Sequence, residues 1–165
     1  MEILTLNNLN NAISERINAS NLYKLLPILE DYVGIDWKQH INFCDKKYHR
    51  NRLFCGSEFE IILICWKKGQ KSGIHDHPTK GCLMKILEGN LNETKFNLKK
   101  SLSRADEDTG LGLLPNYISC KSLMVHDVSY ICGSDGLHNI EALDNSISLH
   151  IYSPPQYTPK FYEST

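Results

Sequence analysis

Between Tyr48 and Ser153 the sequence contains a succession of short strand patterns, with no helical pattern between them. The run FEIILICW is apolar on both faces, as expected of a strand covered on both sides. Gly, Asn, Asp and Pro clusters separate the patterns. The predicted strands cover residues 48–54, 59–66, 75–77, 82–87, 91–97, 118–124, 128–132 and 146–153. Many short strands at close spacing favour an antiparallel sandwich or barrel.

The N-terminal part of the chain, residues 5–33, has a different pattern, with apolar side chains at helical spacing. These side chains are Leu6, Leu9, Ile13, Ile17, Leu22, Leu25, Leu26 and Leu29. Ser20 or Asn21 is a candidate cap for a second helix, and Pro27 predicts a break or a fresh helix start. We expect Trp37, just beyond this segment, to pack inward.

Length and composition indicate one domain. With 165 residues and 41% apolar content, the chain can bury its own core, and nothing in it indicates a second domain. We therefore expect a single domain over residues 1–165, with a helical segment at 1–45 packed on a β-barrel at 46–160. Residues 99–112 form the most polar stretch and are expected to be an exposed loop.

The charge and cysteine content limit the classes of binding partner and the cellular compartments that we expect for this chain. A net charge of -1, from 18 basic and 19 acidic residues, gives no field that would attract nucleic acid or an anionic membrane. No apolar run has membrane-spanning length, and the N-terminus lacks the pattern of a secretory signal. The six cysteines include no C-x-x-C pair. We expect a cytoplasmic monomer with reduced thiols that acts on small molecules.

The segment from Gly69 to Gly89 reads GQKSGIHDHPTKGCLMKILEG and contains the first candidate ligands. If the backbone is extended there, His75 and His77 point to the same face and Asp76 points away. Cys82 follows after a short turn. Two imidazoles in one space are a possible part of a metal site, although a lone His-x-His pair is more often structural.

A metal site of this kind needs a third imidazole. His138 is the best candidate, because it follows the Gly-rich turn at residues 133–136, which would return the chain to the sheet. His40 lies in the helical part, His49 in an alternating strand and His126 at a strand end. For any one of these histidines, a structural or solvated role is more common than metal ligation.

Two stretches resemble the motifs of the cupin superfamily. The spacing Gly-x5-His-x-His-x4-Cys-x6-Gly is similar to the first cupin motif, with Cys82 where most cupins have a glutamate ligand. GLHNIEA, which contains His138, resembles a degenerate second motif that lacks the usual proline and asparagine. The cysteine substitution, YHRN, and SLHIYSPP from Ser148 together resemble the cysteine dioxygenases over about residues 45–155. The resemblance implies a mainly β protein, a cupin-type antiparallel β-barrel or jelly roll with N-terminal helices.

The resemblance also implies a metal and a reaction. It implies Fe(II) bound by His75, His77 and His138, with L-cysteine and O2 as substrates and cysteine sulfinic acid as the product of a step in cysteine catabolism. Three neutral imidazoles make an uncharged ligand set, whereas two histidines and a carboxylate are more common for ferrous oxygenases. A substrate that supplies an anionic thiolate would offset the charge of the metal.

Further site residues are implied by the same resemblance. YHRN matches the strand that binds the substrate carboxylate and so indicates Arg50, whose guanidinium can bind a carboxylate through two hydrogen bonds. Tyr48 and Arg52 share the face of Arg50 on a regular strand, which makes Tyr48 a substrate-binding residue and Arg52 the second candidate for the carboxylate.

The motif SLHIYSPP supplies the remaining implied residues. Tyr152 is the active-site phenol, which contacts the substrate and is joined to Cys82 by a thioether in the family. His150 and Ser148 lie on the same strand face as Tyr152 and match the hydrogen-bonded residues behind it. Trp66 matches an aromatic residue near the pocket.

Other functions are compatible with parts of this pattern. A dioxygenase for 3-mercaptopropionate or cysteamine is one alternative, but relatives that prefer mercaptopropionate replace the arginine and often the cysteine, so Arg50 and Cys82 argue against it. A non-catalytic metal-binding cupin would keep the histidines without needing Tyr152. A zinc or manganese isomerase would be expected to have glutamate at position 82.

Overall fold

The structure is a computed structural model that describes residues 2–17, 21–100, 113–133 and 136–163. In these residues, short helices precede ten strands in two antiparallel sheets. The strands are β1 (His49–Cys55), β2 (Glu60–Trp66), β3 (Ile74–His75), β4 (Gly81–Glu88), β5 (Asn90–Lys100), β6 (Leu113–Met124), β7 (Val128–Ile131), β8 (Leu137–Ala142), β9 (Ser146–Ser153) and β10 (Phe161–Tyr162). The strand order is β1-β2-β9-β4-β7 in the first sheet and β10-β3-β8-β5-β6 in the second.

The N-terminal segment consists of short helical pieces. They are α1 (Leu6–Ser14), α2 (Leu26–Asp31) and two 3-10 turns (Leu22–Leu25 and Asp36–His40). Thr5 caps α1, because its side chain accepts a hydrogen bond from the Asn8 amide. Pro27 lies in the first turn of α2, which confirms the predicted fresh helix start, and no side-chain cap bond is found at Asn21. Ser20 lies outside the described residues.

The central strands β2 and β9 of the first sheet are buried on both faces, as the apolar sequence of β2 predicts. Along β2 the odd positions, Ile61 and Leu63, pack with Leu9 of α1 and Leu29 of α2 in one core cluster. The even positions pack against residues of the second sheet in another cluster, which includes Ile62, Ile64, Trp66, Leu91, Leu123 and Ile140. The helices therefore cover the outer face of the first sheet, while the inner face meets the second sheet.

Lys85 attaches the helical segment to the first sheet. It lies in the apolar β4, it is buried, and its Nζ donates hydrogen bonds to the carbonyl oxygens of Leu29, Glu30 and Tyr32 at 2.9, 2.8 and 2.7 Å. These carbonyls lie at the C-terminal end of α2, where helix carbonyls lack partners within the helix.

Trp37 is buried as predicted and its Nε1 donates to the Gly34 oxygen at 3.0 Å.

The two packed antiparallel sheets form a jelly roll, so the prediction of a mainly β protein with N-terminal helices is confirmed. The predicted strand at 75–77 is shorter, since β3 ends at His75, and β8 was not among the predicted strands. Lys99 and Lys100 belong to β5 and not to a loop, while the rest of that predicted loop, residues 101–112, lies outside the described residues. In the part of the chain that the structure describes, no helix is long and apolar enough to cross a membrane.

Candidate metal centre

Three histidines meet at one end of the second sheet. His75 ends β3 and is the direct cross-strand partner of His138 in β8. His77 follows beyond the strand, and its backbone amide donates to the Gly133 oxygen at 3.2 Å. One ring nitrogen from each histidine lies within 4.8 Å of the others. Among the described residues, the structure therefore brings together the three predicted metal ligands, and His40, His49 and His126 are not part of this group.

Hydrogen bonds orient all three imidazoles. Each Nδ1 faces an oxygen: the Gly73 carbonyl at 2.9 Å for His75, the Gly136 carbonyl at 2.8 Å for His77, and the Glu93 carboxylate at 2.8 Å for His138. Since these oxygens accept hydrogen bonds, each Nδ1 carries the hydrogen and each Nε2 presents a lone pair.

The arrangement fits a cation. The Nε2 atoms of His77 and His138 are 3.0 Å apart, and two lone pairs at this distance repel unless a positive centre lies beside them. Burial lowers the pKa of His75, and burial followed by the neighbouring imidazoles lowers the pKa of His77 well below 6.5. Burial also lowers the pKa of His138 well below 6.5. The imidazoles are therefore neutral near pH 7, which is the form that ligates metals.

Glu93 holds His138 in place, and this residue was not predicted from the sequence as part of the site. This buried carboxylate of β5 accepts hydrogen bonds from His138 Nδ1 and, at 2.6 Å, from the hydroxyl of Ser129, while Lys95 Nζ lies 3.8 Å away. A carboxylate behind a ligand histidine fixes its orientation and increases its basicity. The one available signal was that Glu93 occupies the same strand face as the buried Leu91.

The inner face of the first sheet supplies a second group of polar side chains. Trp66 Nε1 donates to Ser148 Oγ at 2.9 Å, Ser148 Oγ lies 2.7 Å from His150 Nε2, and His150 Nδ1 lies 3.3 Å from the Tyr152 hydroxyl. All four residues are buried. Their contacts form a continuous chain from Trp66 to Tyr152, because alternate residues of β9 share one face.

Cys82 in β4 and Tyr152 in β9 are direct cross-strand partners. Cys82 Sγ lies 3.9 Å from His150 Nδ1. Burial, followed by the neighbouring Cys82, raises the pKa of the Tyr152 hydroxyl, and burial also raises the pKa of the Cys82 thiol. Burial, followed by Arg50, lowers the pKa of His150 well below 6.5. At neutral pH the phenol and thiol therefore keep their protons and the imidazole is neutral.

The two candidate arginines on β1 have different partners. The Cζ atom of Arg50 lies 5.4 Å from the centre of the Tyr152 ring. Arg52 Nε instead lies 2.9 Å from the buried Glu60 carboxylate. Tyr48, just before β1, stacks on Trp66 with ring centres 4.4 Å apart.

A pocket joins these groups, and its open space, including the solvent at its mouth, is about 540 Å³. On the first sheet its walls include Arg50, Trp66 and Tyr152, and on the second sheet they include His75 and His138. The site therefore lies between the two sheets, with imidazoles on one side and the arginine and phenol on the other.

Asp76, which the alternation predicted to point away from the histidines, lines the same pocket as His75, and its carboxylate has partners of its own. Asp76 Oδ1 accepts hydrogen bonds from the Tyr157 hydroxyl at 2.9 Å and from the Lys160 amide at 2.7 Å. Burial, followed by Asp76, raises the pKa of Tyr157 to about 12. The Tyr157 hydroxyl therefore keeps its proton and donates it to the carboxylate at neutral pH.

Solved structures with the same fold include proteins of low sequence identity. One is a protein with a double-stranded β-helix domain from Klebsiella pneumoniae, with a TM-score of 0.55, 11% identity, and coverage of 77% of this chain and 94% of that chain. Another is a cupin superfamily protein from Desulfitobacterium hafniense, with a TM-score of 0.51, 14% identity, and coverage of 73% and 89%. These similarities show the cupin fold.

Curated proteins are more similar in sequence. The chain is 33% identical over 143 residues to the rat and to the human cysteine dioxygenase type 1, covering 82% of this chain and 66% of each relative. It is 32% identical over 146 residues to the zebrafish (Danio rerio) protein of the same name, covering 86% of this chain and 68% of the relative. The chain thus spans just under two thirds of the length of the rat and human proteins. The family model for cysteine dioxygenase type I matches residues 5–165, and the chain therefore belongs to the cysteine dioxygenase type I family.

Proposed function

We propose that this protein is a non-haem iron dioxygenase that oxidises L-cysteine with O2 to cysteine sulfinic acid. Both oxygen atoms of O2 end on sulfur, which gives up four electrons in going from thiol to sulfinic acid, so that no other reductant is needed. The observation that supports this proposal most is the group of three neutral histidines, two of which, His75 and His138, line one pocket together with Arg50 and Tyr152, in a chain of this family.

His75, His77 and His138 are the residues that would hold the iron, each through Nε2. When bound, Fe(II) supplies the redox chemistry and the attachment of thiol and O2 that an oxygenase requires. Hydrogen bonds from Nδ1 to Gly73, Gly136 and Glu93 keep the three Nε2 atoms directed at one point. This orientation reduces the cost of assembling the site.

Arg50 is the proposed partner of the substrate carboxylate. Its guanidinium lies beside the Tyr152 ring, and no carboxylate among the described residues forms an ion pair with it. The second candidate, Arg52, already pairs with Glu60. A substrate with its sulfur at the histidines and its carboxylate at Arg50 spans the pocket between the sheets, with Tyr48 and Tyr152 beside it.

Tyr152 is proposed to donate its proton to bound substrate or oxygen, and His150 and Ser148 to fix the direction of that hydrogen bond. The hydroxyl keeps its proton because of burial, and His150 lies within hydrogen-bond reach. We also propose that Cys82 and Tyr152 become joined by a thioether, with loss of two hydrogens and with O2 as the oxidant. Their cross-strand pairing supports this, since it puts the thiol next to the phenol ring.

The test is to incubate iron-loaded protein with L-cysteine, 3-mercaptopropionate and cysteamine in ¹⁸O2, and to follow O2 uptake and product mass. We expect L-cysteine to be the preferred substrate and its product to carry two labelled oxygens. A preference for 3-mercaptopropionate or cysteamine would show that a thiol other than L-cysteine is the substrate. No uptake with any thiol, together with normal iron content, would favour a non-catalytic metal-binding cupin.

The thioether has its own test. Turned-over protein should contain a species lighter by two hydrogens that runs as a separate band on a denaturing gel even after reduction, because thiols do not cleave a thioether. The Cys82→Ser variant should lack this band and keep its iron. Recovery of only free Cys82 and unmodified Tyr152 from peptide maps would exclude the crosslink, and loss of iron in Cys82→Ser would make this cysteine a ligand.

We also propose, as predictions from the sequence, that residues 1–165 form a single domain, that the protein is a monomer and that it acts in the cytoplasm in cysteine catabolism. Neither nucleic acid nor a membrane is expected as a partner. The near balance of 18 basic and 19 acidic residues supports this last expectation.

A further inference from the structure

One wall of the candidate pocket comes from the segment that follows β9 and ends in the edge strand β10 of the second sheet. Residues 154–162 follow β9 and run along the pocket to β10, and we refer to them as the strap. Three strap residues line the pocket: Tyr157, Pro159 and Phe161. The strap therefore borders the space that a substrate would occupy between the histidines and Arg50.

Two buried carboxylates hold the strap on the molecule. Glu60 Oε1 accepts a hydrogen bond from the Gln156 amide at 3.1 Å, near the start of the strap. Asp76 Oδ1 accepts from the Tyr157 hydroxyl and from the Lys160 amide, and the Asp76 amide donates to the Lys160 oxygen at 3.1 Å. Glu60 and Asp76 are only 3% and 5% exposed, so these are anchors in the body of the protein and not surface contacts.

The far end of the strap is fixed against the candidate metal ligands. Phe161 pairs with His75 where β10 joins β3, and the two rings lie 5.8 Å apart. The ring of Phe161 also covers Gly73, because a Cβ at that position would be 2.9 Å from Phe161 Cδ1. The Phe161 side chain thus has one face against the histidine end of the pocket, while the residue as a whole is 58% exposed.

We propose that the strap limits the size of the thiol that the pocket accepts, with Phe161 and Tyr157 as the specificity-determining residues. This inference rests on the proposed function. His75, Arg50 and the two strap rings line the same pocket, so a thiol longer than a small aminothiol would have to displace those rings. Asp76 makes that displacement costly, since it bonds the strap directly to the segment that carries His75 and His77.

The test compares L-cysteine with L-homocysteine, which has one more methylene group and the same amine and carboxylate. A well-fitted pocket discriminates such a pair by about 10- to 200-fold in kcat/KM. In Phe161→Ala we expect the cysteine-to-homocysteine ratio to fall by about tenfold, because the side chain that blocks the longer thiol is gone. In Tyr157→Phe the ring stays and only its hydrogen bond to Asp76 is lost, so a smaller fall of about two- to tenfold is expected.

Thr158→Ala is the matched control, since Thr158 is an exposed strap residue that does not line the pocket, and its ratio should equal that of the wild type. A general loss of structure would lower both rates and leave the ratio unchanged, so the ratio separates specificity from stability. A ratio in Phe161→Ala within twofold of the wild type, or an equal shift in Thr158→Ala, overturns the proposed role of the strap.

The dissociation constants of both thiols from the iron-loaded protein, measured by calorimetry without O2, test the strap independently of turnover. Phe161→Ala should bind homocysteine more tightly relative to cysteine than the wild type does. If the wild type binds cysteine but oxidises neither thiol, the proposed function fails while this binding ratio still decides the role of the strap. An unchanged binding ratio overturns the inference.

Discussion

Among the single residues of the candidate metal centre, Glu93 lies on a strand that carries none of the three histidines. The centre is therefore assembled from several separate elements. The sequence motifs identified His75, His77 and His138, which the structure brings together. They could not identify Glu93, whose contact with His138 joins residues 45 positions apart. Such a contact depends on the register between β5 and β8 and has no local signature.

Glu93→Gln should weaken Fe(II) binding by about 10- to 100-fold, because the amide orients His138 less strongly and does not increase its basicity. The measurement is competition with a chelator of known affinity. Glu88→Gln is a control, since Glu88 is exposed in β4 and should retain normal affinity. Equal affinities for Glu93→Gln and the wild type would show that His138 does not depend on this carboxylate.

Arg50→Ala should reduce kcat/KM for L-cysteine about ten- to a hundredfold more than for cysteamine, which has no carboxylate to pair. This range corresponds to roughly 1.5 to 3 kcal/mol for a hydrogen bond to a charged group. The measurement is steady-state kinetics with both thiols. Arg52→Ala is the comparison, because Arg52 already pairs with Glu60 and should affect both thiols alike. Equal losses for both thiols in Arg50→Ala would mean that another residue binds the substrate carboxylate.

At the scale of elements, strands with a clear hydrophobic period could be predicted from the sequence. Side-chain hydrogen bonds that connect one element to another could not. FEIILICW indicated a strand buried on both faces, and β2 has that environment. By contrast, LMKILEG gave no sign that Lys85 is buried, because its three carbonyl partners come from the end of α2 and from Tyr32 just after it, more than fifty positions earlier. The strand β8 was not predicted as such, because a six-residue alternation beside a Gly-rich turn is a weak signal.

Lys85→Met should destabilise the protein by about 2 to 4 kcal/mol, because the apolar side chain removes the Lys85 hydrogen bonds to the Leu29, Glu30 and Tyr32 carbonyl groups, of which Leu29 keeps the Tyr32 amide as a donor. The free energy of unfolding can be measured by urea denaturation. Lys121→Met, at an exposed position of β6, should differ from the wild type by less than about 0.5 kcal/mol. If both variants are equally stable, the hydrogen bonds of Lys85 contribute no net stability.

At the scale of the whole molecule, the sequence predicted the class of fold, a mainly β jelly roll with helices in its N-terminal part. It did not predict the strap, because residues 154–162 have neither helical nor strand periodicity and are held by hydrogen bonds to Glu60 and Asp76, which are distant in sequence. Burial of His150 has a consequence at the same scale, since its environment makes the stability of the protein depend on pH.

The free energy of unfolding of the metal-free protein should fall as the pH drops below about 6.5. Burial lowers the pKa of His150 in the folded protein well below its ordinary value of 6.5, so the unfolded chain takes up a proton first. The contribution of neutral His150 to the free energy of unfolding is therefore fully present above pH 6.5. Below pH 6.5 it decreases by at most about 1.4 kcal/mol per pH unit for one such histidine. Urea denaturation from pH 7.5 to 5 should show a shallower dependence for His150→Gln than for the wild type. Identical dependences would mean that folding does not lower the pKa of His150.

Trp66 gives the molecule an optical reporter at the centre of its pocket. The chain has two tryptophans, and only Trp66 lines the pocket, where it stacks on Tyr48 and donates to Ser148. Trp37 lies in the other core cluster, on the helical side of the first sheet. A Trp37→Phe variant would therefore emit from the pocket alone, so that its fluorescence would follow the arrival of a thiol in real time and without turnover.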